Sequence, residues 1–179
     1  MILREAERIG AARARARSAG KAQDVRPRTR PARRPEARLD RRPAAVRWQA
    51  AHHEAGHALA ALALGARDVA ATIVPTASED GATSYLADGL GAVERVAIVM
   101  AGGLADAKFT RRDFDVYRDS PADAASIERL TQADPQSRHA GAVLAGEIVL
   151  ANWSRIQSIA AVLFERRTLG HSALTREAA

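Results

Sequence analysis

Hydrophobic positions recur at helical spacing in four stretches of the sequence. In the first stretch Ala55, Leu59 and Leu62 lie three or four residues apart, and Gly65 follows as a residue that ends helices. The later stretches repeat this spacing. The predicted helices are 48–65, 91–109, a third that begins at Ser120 or Asp123 and ends near Ala133, and a long fourth over 138–167.

Two short segments between the first two helices have the composition of strands. The segment VAATIVP, residues 69–75, is rich in β-branched side chains. The segment ATSYL, residues 82–86, follows it after the polar sequence SEDG. Together they predict a small sheet or hairpin. The expected fold class is therefore α+β and mostly helical, with the small sheet after the first helix.

Composition restricts both the core and the chemistry. The 42 alanines and only 4% aromatic residues predict tightly packed helices with small side chains. Cysteine is absent, which excludes disulfide frameworks, thiolate metal sites and cysteine nucleophiles, so His, Asp or Glu must hold any metal. No stretch has the roughly 18 consecutive apolar residues of a membrane span. A cytoplasmic location is the expectation.

Charge divides the chain into a basic N-terminal segment and a mildly acidic remainder. Residues 1–47 contain 15 Lys and Arg against five Asp and Glu, whereas residues 48–179 contain 12 against 16. Arginine, proline and alanine dominate residues 1–44, and this composition predicts a disordered tail ahead of a domain spanning 45–179. Such a tail can make weak contacts with nucleic acid or another anion, although a solubilising extension is the interpretation we prefer.

The sequence HEAGH at positions 53–57 is the strongest chemical signal in the chain. His53 and His57 are four residues apart, so they share one face of the predicted helix and can bind one metal ion. Glu54 lies roughly 80° from their mean direction, near enough to accept a proton from an attacking water, whereas His52 points roughly 120° away and is not expected to be a ligand. The alternative is an amphipathic helix whose histidines are buried for structural reasons.

A catalytic zinc site needs a third protein ligand from elsewhere in the chain. The extended H-E-x-x-H-x-x-G-x-x-H pattern is excluded, because Gly and His do not occupy the required later positions. By residue type, the candidates for the third ligand are Glu94 and a group of four aspartates. His139 and His171 are chemically possible, but we expect them at the solvated surface. The aspartates are Asp113, Asp115, Asp119 and Asp123.

The string AHHEAGHALAA and the segments after it resemble the protease domain of the FtsH-type ATP-dependent zinc metalloproteases. The resemblance extends over most of residues 46–170. ATIVPTASEDGATSYL is similar to the family's strand, loop and strand, with Gly81 and Thr83 matching its Gly-x-Thr. RDSPADAASIERL resembles the turn and helix that carry the family's third zinc ligand, with Asp123 in the ligand position.

The resemblance implies a zincin-like helical metalloprotease domain with Zn²⁺ as its cofactor. The implied ligands are His53, His57 and Asp123, and the implied catalytic residue is Glu54. Asp119 is the second choice for the third ligand, because this loop departs from the family pattern. A further departure lies in the segment MAGGLADA, where Gly103 and Asp106 replace the family's arginine and glutamate.

No G-x-x-x-x-G-K-[ST] phosphate loop is present, so the ATPase motor of the family has no counterpart in this sequence. The expected function is a zinc-dependent metalloendopeptidase that hydrolyses peptide bonds in unfolded or flexible proteins, with a separate ATPase or adaptor as a candidate partner. The alternative is a catalytically inactive zincin-like interaction module whose basic tail, residues 1–44, binds nucleic acid or another anion.

Overall fold

The structure is a computed structural model that describes residues 40–132 and 134–179. Of the predicted disordered tail, residues 1–44, positions 1–39 lie outside the described residues. The described helices are α1 (Ala44–Ala63), α2 (Ala92–Thr110), α3 (Val116–Asp119), α4 (Pro121–Thr131), α5 (Gln136–Ala151), α6 (Trp153–Arg166) and α7 (His171–Ala178). The described strands are β1 (Arg67–Thr72), β2 (Ala82–Leu86) and β3 (Thr168–Leu169).

This architecture confirms the expected α+β, mostly helical fold class. The predicted small sheet is also confirmed, and it has three antiparallel strands in the order β2-β1-β3. Ala70 pairs with Ser84 and Thr72 with Ala82, so β2 forms one edge of the sheet. None of the described helices has both the length and the apolar character needed to cross a membrane.

Helix α1 runs through the centre of the core, and small residues let α2 approach it closely. A Cβ atom added at Gly56 would lie 2.5 Å from the carbonyl oxygen of Ala101 and 2.7 Å from Cβ of Ala105. Both alanines are fully buried. The alanine-rich composition therefore produces the expected tight helix packing, and this packing fixes the HEAGH segment against α2.

The long fourth helix predicted over 138–167 is wrong, because the chain breaks at Asn152 into α5 and α6. Asn152 has φ −118° and ψ 22°, and its side-chain Nδ2 donates a hydrogen bond of 2.9 Å to the carbonyl oxygen of Ile148. The same oxygen also accepts from the backbone N–H of Asn152, so two groups of Asn152 close the end of α5. Val149 and Ile156 are both buried, so the hydrophobic pattern continues across the break and hides it.

The other differences are confined to element ends and short elements. Helix α1 begins at Ala44 rather than Trp48, while Gly65, with φ of 83°, follows the end of α1 as predicted. Ser120 is the N-cap residue of α4, one of the two predicted starts. The single-turn helix α3 was not predicted, nor were β3 and α7, because elements this short carry little periodic signal.

Candidate metal centre

A cleft of about 810 Å³ opens beside the central part of α1. His53, Glu54 and His57 all line it from α1, and the other walls come from α2, β2, α4 and the segment 78–81. Asp123 reaches the cleft from the first turn of α4. The fold thus brings residues that are about 70 positions apart in the sequence to one side of a single helix.

His53, His57 and Asp123 form a group that can hold a metal ion. The Nε2 atoms of the two histidines are 3.0 Å apart, and Oδ2 of Asp123 lies 3.2 Å from Nε2 of His53 and 3.6 Å from Nε2 of His57. Tetrahedral ligands about 2.0–2.1 Å from a zinc ion are about 3.3–3.4 Å from one another. Among the residues that the structure describes, no other group of three His, Asp or Glu side chains has ligand atoms within 4.8 Å of one another.

The imidazole of His57 is held in a fixed orientation from two sides. Its Nδ1 donates a hydrogen bond of 2.8 Å to the carbonyl oxygen of Ile98, which leaves Nε2 as the ring nitrogen on the side of His53 and Asp123. On α2, a Cβ atom added at Gly102 would lie only 2.2 Å from this Nε2 atom. The glycine of the small-residue segment therefore makes room for the ring.

Charge interactions couple the three side chains. Burial acts against a positive charge on His57, but the carboxylate of Asp123, 3.6 Å from its Nε2, and that of Glu54 outweigh burial and raise its pKa to about 9. Burial also acts to raise the pKa of Asp123, yet the imidazoles of His53 and His57, 3.2 and 3.6 Å from its Oδ2, hold it well below its usual range. Without a metal, His57 and Asp123 therefore carry opposite charges. A cation bound there would take the place of the proton on His57 Nε2.

Glu54 is buried, 5% exposed, and its carboxylate is fixed by the start of β2. The hydroxyl of Thr83 donates a hydrogen bond of 2.7 Å to Oε2 of Glu54 and also lies 3.2 Å from the Glu54 carbonyl oxygen. A Cβ atom added at Gly81 would come within 2.7 Å of Oε1. Gly81 and Thr83, the two residues of the Gly-x-Thr sequence, therefore position the carboxylate together.

The other candidate ligands do not join the metal group. The carboxylate of Asp119 accepts hydrogen bonds from Arg118 and from the backbone N–H of Asp115, which hold it at the rim of the cleft. The Asp115 carboxylate caps α3 by accepting from two backbone N–H groups. Glu94 and Asp113 are also outside the group, and His139 and His171 are exposed, as expected.

His52 belongs to an aromatic cluster away from the metal group, as its helical position indicates. It is 3% exposed, its Nδ1 donates to the carbonyl oxygen of Trp48 over 2.9 Å, and its ring stacks on Phe109 with centroids 3.8 Å apart. Burial lowers the pKa of His52. The hydrogen bond from its Nδ1–H to the Trp48 carbonyl and the charge of Asp106 act to raise the pKa, but their effect is smaller than that of burial. His52 is therefore a neutral packing residue.

Several cleft residues were not identified from the sequence. Gln49 lies one helical turn before His53, and its Nε2 donates a hydrogen bond of 2.9 Å to Oδ2 of Asp106. Tyr85 and Arg95 also line the cleft. Spacing along α1 is a signal that would have found Gln49, because it is four residues from His53. Tyr85 and Arg95 reach the cleft only through tertiary packing.

Comparison of the chain with protein-family models and with curated proteins gives no match. The resemblance to the FtsH-type protease domain therefore remains a prediction from the sequence. The metal group, the position of Glu54 and the shape of the cleft are the features of the structure that bear on function.

Proposed function

We propose that this protein is a zinc-dependent metalloendopeptidase with a zincin-like, FtsH-type protease domain, and that it hydrolyses peptide bonds in unfolded or flexible proteins. One observation carries the proposal. The ligand atoms of His53, His57 and Asp123 have the mutual spacing of zinc ligands, and Glu54 lines the same cleft. A helix with a chance motif has no reason to meet an aspartate from another helix at this spacing.

The donor set supports zinc rather than a harder or softer metal. Two imidazole nitrogens and one carboxylate oxygen are typical ligands of catalytic zinc sites, which leave a fourth position open. A zinc ion bound there supplies a Lewis acid for the substrate carbonyl and for a water molecule. The half-buried carboxylate of Asp123 offsets part of the charge of the zinc ion.

Glu54 is the general base and acid of the proposed reaction. Its carboxylate accepts a proton as the oxygen of water bonds to the peptide carbonyl carbon. The same proton then passes to the amine nitrogen as the peptide C–N bond breaks. The hydrogen bond from Thr83 keeps one carboxylate oxygen oriented and leaves the other for this transfer. Burial of the side chain limits competing solvent contacts.

Strand β2 offers a binding site for an extended main chain. It is an edge strand, and Ala82, Thr83 and Tyr85 all line the cleft. Its outer edge has no strand partner within the described part of the chain. A substrate segment that pairs with this edge is recognised through backbone hydrogen bonds. This mode requires an extended segment, which favours unfolded or flexible substrates over folded ones.

The test is cleavage of a fluorescently labelled, permanently unfolded protein by the zinc-loaded enzyme and by Glu54→Gln. Glu79→Gln is the matched control, because it makes the same charge change on an exposed residue of the same cleft. We expect Glu54→Gln to retain zinc and to lose about 1000-fold in activity, consistent with the loss of a general base plus its charge. Glu79→Gln should cleave like the parent.

Two results would contradict this assignment in different ways. Undiminished cleavage by Glu54→Gln would remove Glu54 from the mechanism. Stoichiometric zinc in the parent without hydrolysis of any unfolded substrate would favour the inactive interaction module instead.

A further inference from the structure

Asp106 presents a carboxylate oxygen whose hydrogen-bonding capacity is not used. Its Oδ2 accepts from Gln49, but its Oδ1 is buried and has no hydrogen-bond partner among the residues that the structure describes. A buried carboxylate oxygen without a donor is costly, commonly by a few kcal/mol. Unsatisfied buried groups of this kind are rare in folded proteins, and binding sites are one place where they persist.

Asp106 lies close to the metal group along the cleft. Gln49, its hydrogen-bond partner, is one turn before His53 on the same face of α1, a separation of about 6 Å. Asp106, Gln49 and His53 all line the cleft. An extended peptide advances about 3.3 Å per residue, so a side chain one or two residues from the scissile bond can reach Asp106.

No described basic residue of the cleft neutralises Asp106. The cleft is lined by six carboxylates and only two guanidinium groups, those of Arg95 and Arg129. Arg95 is eleven residues before Asp106 on α2, a distance of about 16 Å along the helix. Arg129 donates instead to the hydroxyl of Ser126 on α4. The imidazole of His52 is buried and neutral, as described above. Neither arginine of the cleft therefore forms a salt bridge with Asp106.

We infer that Asp106, positioned by Gln49, is the base of a subsite that takes a lysine or arginine side chain of the substrate within two residues of the scissile bond. Because Oδ1 is buried before the substrate binds, the carboxylate turns so that Oδ1 meets the ammonium or guanidinium group, and the pair that forms is charge-assisted. The inference rests on the proposed peptidase function and names its substrate class: unfolded or flexible segments that contain a basic residue beside the cleaved bond.

The experiment compares quenched fluorescent peptides in which one position near the cleaved bond is lysine or norleucine. Norleucine keeps the aliphatic chain and removes the ammonium group. For the zinc-loaded parent we expect kcat/KM to be at least about 10-fold higher with lysine at one position. Asp106→Asn should bring this ratio to about one while cleavage of the norleucine peptide persists. Asp119→Asn is the control, because it removes the same charge from the rim of the same cleft and should keep the lysine preference.

A binding measurement separates this inference from the proposed function. The same peptides are titrated into the zinc-loaded Glu54→Gln variant, with and without Asp106→Asn, and followed by fluorescence anisotropy. Tighter binding of the lysine peptide that depends on Asp106, without cleavage by the parent, would leave the subsite standing and remove the peptidase. Equal binding and equal cleavage of both peptides would overturn the subsite. Asp106→Ser serves as a second variant if thermal unfolding shows that Asp106→Asn is not folded.

Discussion

Replacement of Gly102 by alanine is expected to remove the metal site without touching a ligand. The added methyl group would lie 2.2, 2.4 and 2.6 Å from the Nε2, Cε1 and Cδ2 atoms of His57. Ordinary contacts between such atoms are about 3.5–4.0 Å, so the overlap exceeds about 1 Å. The helices cannot separate easily, because Gly56 already brings α1 against the backbone of α2. The ring of His57 must therefore move.

A displacement of this size is large for metal binding. Metal–ligand distances have to hold to about 0.2 Å, and loss of positioning alone typically costs 10–100-fold in affinity. We therefore expect Gly102→Ala to weaken zinc binding at least about 100-fold. Its effect on stability should be smaller, because an overpacking cost of about 1–3 kcal/mol is partly offset by a gain of about 1 kcal/mol in helix propensity.

The assay is competition for zinc against a chromophoric chelator, with thermal unfolding measured on the same preparations. Gly103→Ala is the matched control, because the Cβ atom added there meets the ring of Phe114 and not His57. It should disturb packing and leave zinc affinity near that of the parent. Parental zinc affinity in Gly102→Ala would refute the reasoning that α2 sets the position of His57.

Three further predictions concern the base, the start of the described chain and an open helical position. Thr83→Val should lower kcat/KM about 10-fold at unchanged zinc content, because it removes the hydrogen bond to Glu54, and Thr83→Ser should restore most of the activity. Hydrogen bonds from Arg42 lower the pKa of Asp40 from 3.8 to about 2, although burial opposes this shift. The stabilisation that this pKa shift gives to the folded state is therefore complete above pH 3.8 and is lost as the pH falls towards 2. Urea unfolding at pH 5 and pH 3 should therefore show a smaller pH dependence for Asp40→Asn than for the parent, and an equal dependence would contradict the assignment. Gly146→Ala should raise the free energy of unfolding by about 1 kcal/mol, because a Cβ atom there meets nothing within 4 Å, and a loss of stability would count against this packing.

The first helix and its motif were predictable because their signals are local. The four-residue spacing of His53 and His57 fixes a shared face on any helix, and this face does not depend on the rest of the fold. The same argument separated His52 from the metal group, and the structure agrees. The strand over residues 82–86 was also predicted with its observed bounds.

The third member of the metal group was not predictable from spacing. Glu94 and four aspartates had equivalent chemistry, and only the packing of α4 against α2 brings Asp123 to the two histidines. The unused acceptor of Asp106 is likewise a property of packing, because its surroundings come from two helices. The break at Asn152 was missed for a different reason. Buried residues continue on both sides of it, so the periodicity contains no gap.

The most direct test of the proposed site is the zinc content per chain of the parent, Asp123→Ala and Asp119→Ala, measured by elemental mass spectrometry after equilibration in a zinc buffer. We predict about one zinc per chain in the parent and in Asp119→Ala, and a clear loss in Asp123→Ala. Absence of zinc from the reconstituted parent, or parental zinc content in Asp123→Ala, would contradict the assignment of His53, His57 and Asp123 as the metal ligands.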